Sequence, residues 1–142
     1  MPVPLVNMSR PRVLLAEDNA DTAERLRKLL RAEFDVIASV EDGDALMDAA
    51  ARLSPDVIVT DISMPGMDGI EATVLMRRHD PNVRIVFVTV HAESMLIEAG
   101  LEAGALGYVL KDTAGDDLVA AIRAALSGRR YVSRELRGHE GP

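Results

Sequence analysis

The feature that most constrains this sequence is a five-fold alternation of short apolar, β-branched runs with amphipathic helical segments. The runs are nearly continuous in apolar residues and no two-residue hairpin joins them, as expected of parallel strands covered by helices on both faces. The strands are predicted at residues 12–16, 34–40, 56–60, 83–90 and 106–110, and the helices at 20–33, 43–53, 69–78, 92–103 and 114–127. The pattern predicts a doubly wound α/β fold with a five-stranded parallel sheet.

Polar residues follow the predicted strands. Glu17 and Asp18 come after the first strand, Asp61 after the third, Thr89 ends the fourth, and Lys111 follows the fifth. Each alone is typical of a turn, a helix cap or a solvated end. All strands of a parallel sheet end at one edge, however, and three carboxylates there repel one another unless a cation neutralises them. Mg²⁺ prefers such oxygen ligands together with phosphate oxygens, so we predict a magnesium site whose carboxylate can act as a nucleophile.

The composition narrows the classes of function. The chain has 142 residues and no cysteine, which excludes disulfide scaffolds, cysteine-ligated metals and cysteine nucleophiles. No apolar run approaches the ~18 to 20 residues of a membrane span, so a cytoplasmic protein without membrane contact is expected. With 23 acidic against 16 basic residues and only four aromatic ones, direct binding of DNA by this chain is not expected.

Several segments around the strand ends point together to one family. They are Glu17-Asp18, Asp61 with Met64-Pro65-Gly66-Met67-Asp68-Gly69, Thr89, and Gly107-Tyr108-Val109-Leu110-Lys111. In order and spacing this set closely resembles the receiver domain of bacterial two-component response regulators, over residues 10–128. The resemblance implies a flavodoxin-like fold. Residues 53–56 and 61–72, with Lys111-Asp112, are similar to the LuxR-like subclass, whose receivers control a helix-turn-helix output domain.

The resemblance also implies the roles of the acidic residues. Asp61 would accept a phosphoryl group from a phosphohistidine on a sensor histidine kinase. Asp18 and Asp61 would bind Mg²⁺ through their carboxylates, Glu17 directly or through water, and Ser63 through its main-chain carbonyl. The domain would catalyse its own phosphorylation and dephosphorylation without being a conventional enzyme.

The remaining implied roles concern the response to phosphorylation. Lys111 would pair with the phosphoryl group, the hydroxyl of Thr89 would move to hydrogen-bond it, and Tyr108 would rotate inward and reshape the surface. Ser63 and His91 would border the phosphoryl group and tune its hydrolysis. Many relatives have proline after the lysine, whereas Asp112 stands here, which leaves the geometry of that turn open.

The sequence predicts three regions and leaves two functional alternatives. Residues 1–9 are expected to be an N-terminal tail, 10–128 the receiver domain, and 129–142 a C-terminal tail or the start of a linker to an absent output domain. The expected function is a phosphorylation-dependent switch controlling transcription through that output domain. The alternative is a stand-alone receiver that carries phosphate in a relay or docks on a partner, and formation of a homodimer stays open.

Two other classes of protein share parts of this pattern. Magnesium-dependent phosphatases of the haloacid dehalogenase type resemble DxDx[TV], with a second Asp where this chain has Ser63, and no cap domain fits the length. A flavodoxin-like binding module would need a Ser/Thr/Gly-rich phosphate loop after the first strand. Residues 17–21 are acidic instead and would repel phosphate without a metal.

Overall fold

The computed structural model describes residues 10–139, so the predicted tail 1–9 and residues 140–142 lie outside the described residues. The strands are β1 (Arg12–Ala16), β2 (Asp35–Val40), β3 (Val57–Thr60), β4 (Ile85–Thr89), β5 (Gly107–Leu110) and β6 (Tyr131–Val132). The α-helices are α1 (Ala20–Leu30), α2 (Gly43–Leu53), α3 (Gly69–His79), α4 (Ser94–Glu102) and α5 (Ala114–Leu126). No helix in this described part is long and apolar enough to cross a membrane.

One sheet of order β2-β1-β3-β4-β5-β6 forms the centre of the molecule, and all of its strand pairs are parallel. Alternate side chains of each strand point to opposite faces. Leu14 of β1 therefore belongs to the apolar cluster that includes residues of α2, α3 and α4, whereas Leu15 belongs to the cluster that includes residues of α1 and α5. The doubly wound parallel fold is confirmed, with apolar cores on both faces of the sheet.

Three helices begin with side-chain caps at the carboxyl edge of the sheet. Asn19 accepts a hydrogen bond from the backbone of Thr22, and Asp42 and Asp68 cap α2 and α3 in the same way. Such caps satisfy backbone N–H groups that the first helical turn leaves free. They fix where the loops after β1, β2 and β3 end, and thus where the side chains of those loops lie.

The sequence predicts a capping pair of Thr113 and Asp116 for α5, and this prediction is wrong. The chain enters α5 through a 3-10 turn, Lys111–Thr113, and Thr113 makes no side-chain cap bond. Its hydroxyl instead donates to Oδ2 of Asp117 at 2.7 Å. The hydroxyl is therefore engaged by a buried carboxylate one residue further along.

The sheet has one strand more than the five predicted. Tyr131–Val132 pairs with β5, and a 3-10 helix, Arg134–His139, follows. Val132 and Leu136 are buried in the core that also contains α4. A two-residue strand has no periodicity to detect, and it is fixed by tertiary contacts. The domain boundary at residue 128 stays a prediction, but the described chain beyond it packs on the sheet.

Candidate metal and phosphoacceptor site

The fold brings three of the predicted acidic residues together at the carboxyl edge of the sheet. Glu17 and Asp18 follow β1, Asp61 follows β3, and one carboxylate oxygen from each lies within 4.8 Å of the others. Glu17 and Asp61 are buried, whereas Asp18 is exposed. The three side chains, here named the acidic group, are therefore accessible from solvent through Asp18.

Lys111 provides the cation of this group. Its Nζ lies 2.7 Å from Oδ2 of Asp61 and 2.7 Å from Oε1 of Glu17. Burial acts to lower the pKa of Lys111, but the attraction of the two carboxylates outweighs burial and raises the pKa above its ordinary value. The Lys111–Asp112 peptide bond is trans. The lysine therefore reaches Asp61 without the proline that many relatives have.

The acidic group carries more charge than Lys111 neutralises. Glu17 Oε2 accepts from the backbone N–H of Asn19 at 3.0 Å, but the buried Oε1 makes no hydrogen bond of good geometry and has only the ion pair with Lys111. Burial is the main cause that raises the pKa of Glu17. Three carboxylates beside one ammonium, with a buried oxygen whose only partner is that ammonium, fit a divalent cation that takes oxygen ligands.

The backbone around Asp61 is held by the elements on either side. Asp61 N–H donates to the carbonyl of Ala16 at 3.0 Å, and Gly69 N–H donates to the carbonyl of Ile62 at 2.8 Å. A Cβ on Gly69 would lie 2.1 Å from the carbonyl oxygen of Asp61. Only glycine lets α3 begin this close to the site loop. The carboxylate of Asp61 accepts from the backbone of Ile62 at 2.7 Å, which fixes its orientation.

Thr89 and Tyr108, the predicted switch residues, meet at the loop after β4. Both are fully buried. Thr89 Oγ1 accepts from the N–H of His91 at 3.3 Å, and the phenol of Tyr108 donates to the carbonyl of His91 at 2.8 Å. Burial raises the pKa of Tyr108, so the phenol stays a neutral donor. Tyr108 is thus inward in this structure, and the Thr89 hydroxyl contacts the loop rather than Asp61.

The predicted tuning residues, Ser63 and His91, contact each other. Ser63 Oγ and His91 Nε2 are 2.7 Å apart, and His91 Nδ1 lies 3.3 Å from a carboxylate oxygen of Glu93. This chain of contacts ties the loop after β3 to the loop after β4. Sequence reasoning missed Glu93 and the contact itself, because Ser63 and His91 are 28 positions apart and no spacing rule pairs them.

An open crevice of about 850 Å³ adjoins Asp61 and Lys111. One wall is the side of α1, where Arg25, Leu26 and Leu29 line the crevice, and Val90 lines it from the loop after β4. Val90 is 67% exposed although it is large and apolar. Sequence reasoning assigned these lining residues no functional role, because Leu26 and Leu29 also fit the apolar core beneath α1 and Arg25 also fits an exposed helix position.

Comparisons with known proteins agree on one family. The family described as "Response regulator receiver domain" matches residues 13–123. The transcriptional regulatory protein LnrK of Bacillus subtilis (strain 168) is 36% identical over 127 residues, which are 88% of this chain and 58% of LnrK. The chain thus spans little more than half the length of that relative.

Two solved structures share the fold closely. A LuxR-family two-component response regulator from Aurantimonas sp. SI85-9A1 matches with a TM-score of 0.88 and 35% identity, covering 92% of this chain and 95% of that one. The isolated REC domain of RcsB from Salmonella enterica serovar Typhimurium, solved with phosphomimetic BeF3-, matches with a TM-score of 0.84 and 29% identity. That match covers 92% of this chain and 99% of the RcsB chain.

Proposed function

This chain belongs to the response regulator receiver family, and from that premise we propose that Asp61 is its phosphoacceptor. The supporting observation is a buried carboxylate that is oriented by backbone N–H groups and paired with Lys111 at 2.7 Å. In the proposed step a carboxylate oxygen of Asp61 bonds to phosphorus while the P–N bond of a phosphohistidine breaks. The freed imidazole leaves on the kinase, and an acyl phosphate remains on Asp61.

The proposed metal ligands are the acidic group, whose three carboxylates each have an oxygen within 4.8 Å of the others, and one main-chain carbonyl. Asp18 and Asp61 would hold Mg²⁺ through carboxylate oxygens, Glu17 directly or through a water, and Ser63 through its main-chain carbonyl. When bound, the ion supplies charge neutralisation for the phosphoryl oxygens. Lys111 supplies a second positive charge, which its raised pKa keeps protonated.

The proposed response starts at Thr89. Its hydroxyl would leave the N–H of His91 and donate to a phosphoryl oxygen, which would pull on the loop after β4. Because the carbonyl of His91 accepts from Tyr108, the ring of Tyr108 would follow that loop and hold it. Ser63 and His91, already in contact, would limit how water approaches the acyl phosphate.

Receiver domains of response regulators interact with histidine kinases, and we propose such a kinase as the partner of residues 10–128. We further propose a cytoplasmic protein that controls transcription through a helix-turn-helix output domain. LnrK is named a transcriptional regulatory protein, which supports this proposal. The second reading, a stand-alone receiver in a phosphorelay, uses the same chemistry at Asp61, and a homodimer is compatible with both.

The phosphoacceptor is tested with acetyl phosphate and Mg²⁺, followed by intact-mass spectrometry. We expect one labile phosphoryl adduct in the unmodified chain and a loss of about a hundredfold or more in Asp61→Ala, because the nucleophile is removed. Asp112→Ala is the matched control, since Asp112 is an exposed acidic residue lining the same crevice. An adduct of equal yield in Asp61→Ala would refute the assignment.

A further inference from the structure

We propose that residues 131–136, here named the C-terminal segment, are docked on β5 by Asp117, and that docking favours occupancy of the site at Asp61. This inference rests on the proposed function of Asp61 as phosphoacceptor. In this proposal Asp117 is a positioning residue, and docking of the segment depends on whether the site at Asp61 is occupied.

Asp117 is a buried carboxylate that accepts hydrogen bonds from hydroxyl groups of the C-terminal segment and of the turn before α5. Its Oδ1 accepts from the phenol of Tyr131 at 2.7 Å. Its Oδ2 accepts from Ser133 Oγ at 3.0 Å and from Thr113 Oγ1 at 2.7 Å. Thr113 ends the 3-10 turn that begins with Lys111. One carboxylate therefore joins the segment to the turn that carries the lysine of the site.

The backbone of the segment is bonded to the strand that carries Tyr108. Tyr131 N–H donates to the carbonyl of Leu106 at 2.8 Å, and Ser133 N–H donates to the carbonyl of Tyr108 at 2.9 Å. In return, Ser133 Oγ accepts from the N–H of Leu110 at 3.0 Å. Three backbone positions between Leu106 and Leu110 are thus held by the segment, and Lys111 directly follows them.

The side chains of the segment share a core with the switch residue. Val132 and Leu136 are 1% and 3% exposed and belong to the same apolar cluster as the inward ring of Tyr108 and Ile97 of α4. An outward Tyr108 would leave a void next to these two side chains, and unfilled space of that kind costs free energy. The docked segment therefore favours the inward ring, which is the position proposed for the phosphorylated state.

Coupling between two sites is reciprocal. If the docked segment favours inward Tyr108 and holds the Lys111 turn, then occupancy at Asp61 must favour docking, and loss of docking must weaken occupancy. Phosphorylation would then change how firmly residues 131–136 are held on β5, and this change would pass to the chain that follows residue 136.

The test uses the full chain with beryllofluoride and Mg²⁺ as the phosphoryl mimic, and Asp117→Asn beside Asp116→Asn. Asp116 is the exposed neighbour in the same helical turn and serves as the matched control. Hydrogen–deuterium exchange of residues 129–136 reports docking, and calorimetric titration reports affinity for the mimic. In Asp117→Asn we expect faster exchange in the segment and an affinity lower by about fivefold, at the weak end of measured couplings.

Unchanged affinity in a variant whose segment exchanges freely would overturn the coupling. If Asp117→Asn does not fold, Tyr131→Phe and Ser133→Ala each remove one donor to the carboxylate, and each is expected to shift exchange and affinity in the same direction by less. Failure of the proposed function is distinguishable, because the unmodified chain would then not bind the mimic or Asp61→Ala would bind it equally well. If the mimic binds through Asp61 and yet exchange of residues 129–136 does not change on binding, only the coupling is wrong.

Discussion

Two buried aspartates, Asp61 after β3 and Asp117 in α5, have opposite polar surroundings. Asp61 is 4% exposed and lies among carboxylates, with a single ammonium beside it. Asp117 is 7% exposed and receives three neutral hydroxyl donors. Burial is nearly equal, so burial alone does not distinguish the proposed phosphoacceptor from a structural carboxylate.

The difference lies in what each environment leaves unsatisfied. Around Asp61 there is excess negative charge, and Oε1 of Glu17 has only the ion pair with Lys111. Around Asp117 both carboxylate oxygens are hydrogen-bonded. A cation can therefore stabilise the first environment, whereas the second gains nothing from a ligand. This contrast predicts how variants at the two places respond to metal, charge and pH.

The largest effect is expected from Lys111→Met without metal. Removal of the ammonium leaves Glu17 and Asp61 buried without a counter-charge, so the free energy of unfolding should fall by about 3 kcal/mol, the low end for a broken buried pair because Lys111 is 19% exposed. Chemical denaturation in EDTA measures this loss, and saturating Mg²⁺ should recover part of it. Lys28→Met, at an exposed position of α1, is the control and should change little.

Asp117→Asn should lower the free energy of unfolding by about 2 kcal/mol, because an amide has one acceptor oxygen for three hydroxyl donors. Saturating Mg²⁺ should not reduce this loss, in contrast to the loss in Lys111→Met. Asp116→Asn should stay close to the unmodified chain. A loss at Asp117 that Mg²⁺ reverses would mean that the two environments are not distinct in the way described.

Asp18→Asn should weaken Mg²⁺ binding by about tenfold, which corresponds to about 1.4 kcal/mol. Asp18 is the exposed member of the acidic group, so its replacement leaves the core and the Lys111 pairs in place. Calorimetric titration measures the affinity, with Asp21→Asn as a control at an exposed position of the first turn of α1. Equal affinity in Asp18→Asn would remove Asp18 from the ligand set.

The smallest effect concerns pH. Burial holds the pKa of Glu17 above its ordinary value of 4.5, so the folded protein binds more protons than the unfolded chain above that pH. This contribution to stability is fully present below pH 4.5 and is lost as the pH rises through the raised pKa. Glu17→Gln should therefore gain stability relative to the unmodified chain as the pH rises, in denaturation series without metal. Parallel pH curves for the two proteins would contradict this expectation.

The sequence alone was enough to predict the strands and helices of the sheet and the meeting of the charged residues at its carboxyl edge. Periodicity located five strands and five helices, with ends that moved by a few residues at most. α1, for example, ends at Leu30 rather than residue 33, because Phe34 turns into the core. Because parallel strands all end at one edge, the positions of Glu17, Asp18, Asp61 and Lys111 after their strands were enough to predict that they meet.

Tertiary structure decided the contacts between positions that no periodicity connects. The bond from Ser63 to His91, the inward place of Tyr108 and the hydroxyl groups around Asp117 join residues that lie far apart in the chain or on different elements. β6 has only two residues and therefore no detectable periodicity. It is stabilised by pairing with the edge of β5 and by the hydrogen bond from Tyr131 to Asp117 in α5. The succession of strands along the chain and the charge of each residue can be predicted from short segments of sequence. The hydrogen-bond partners of a buried polar group are determined only when the chain packs.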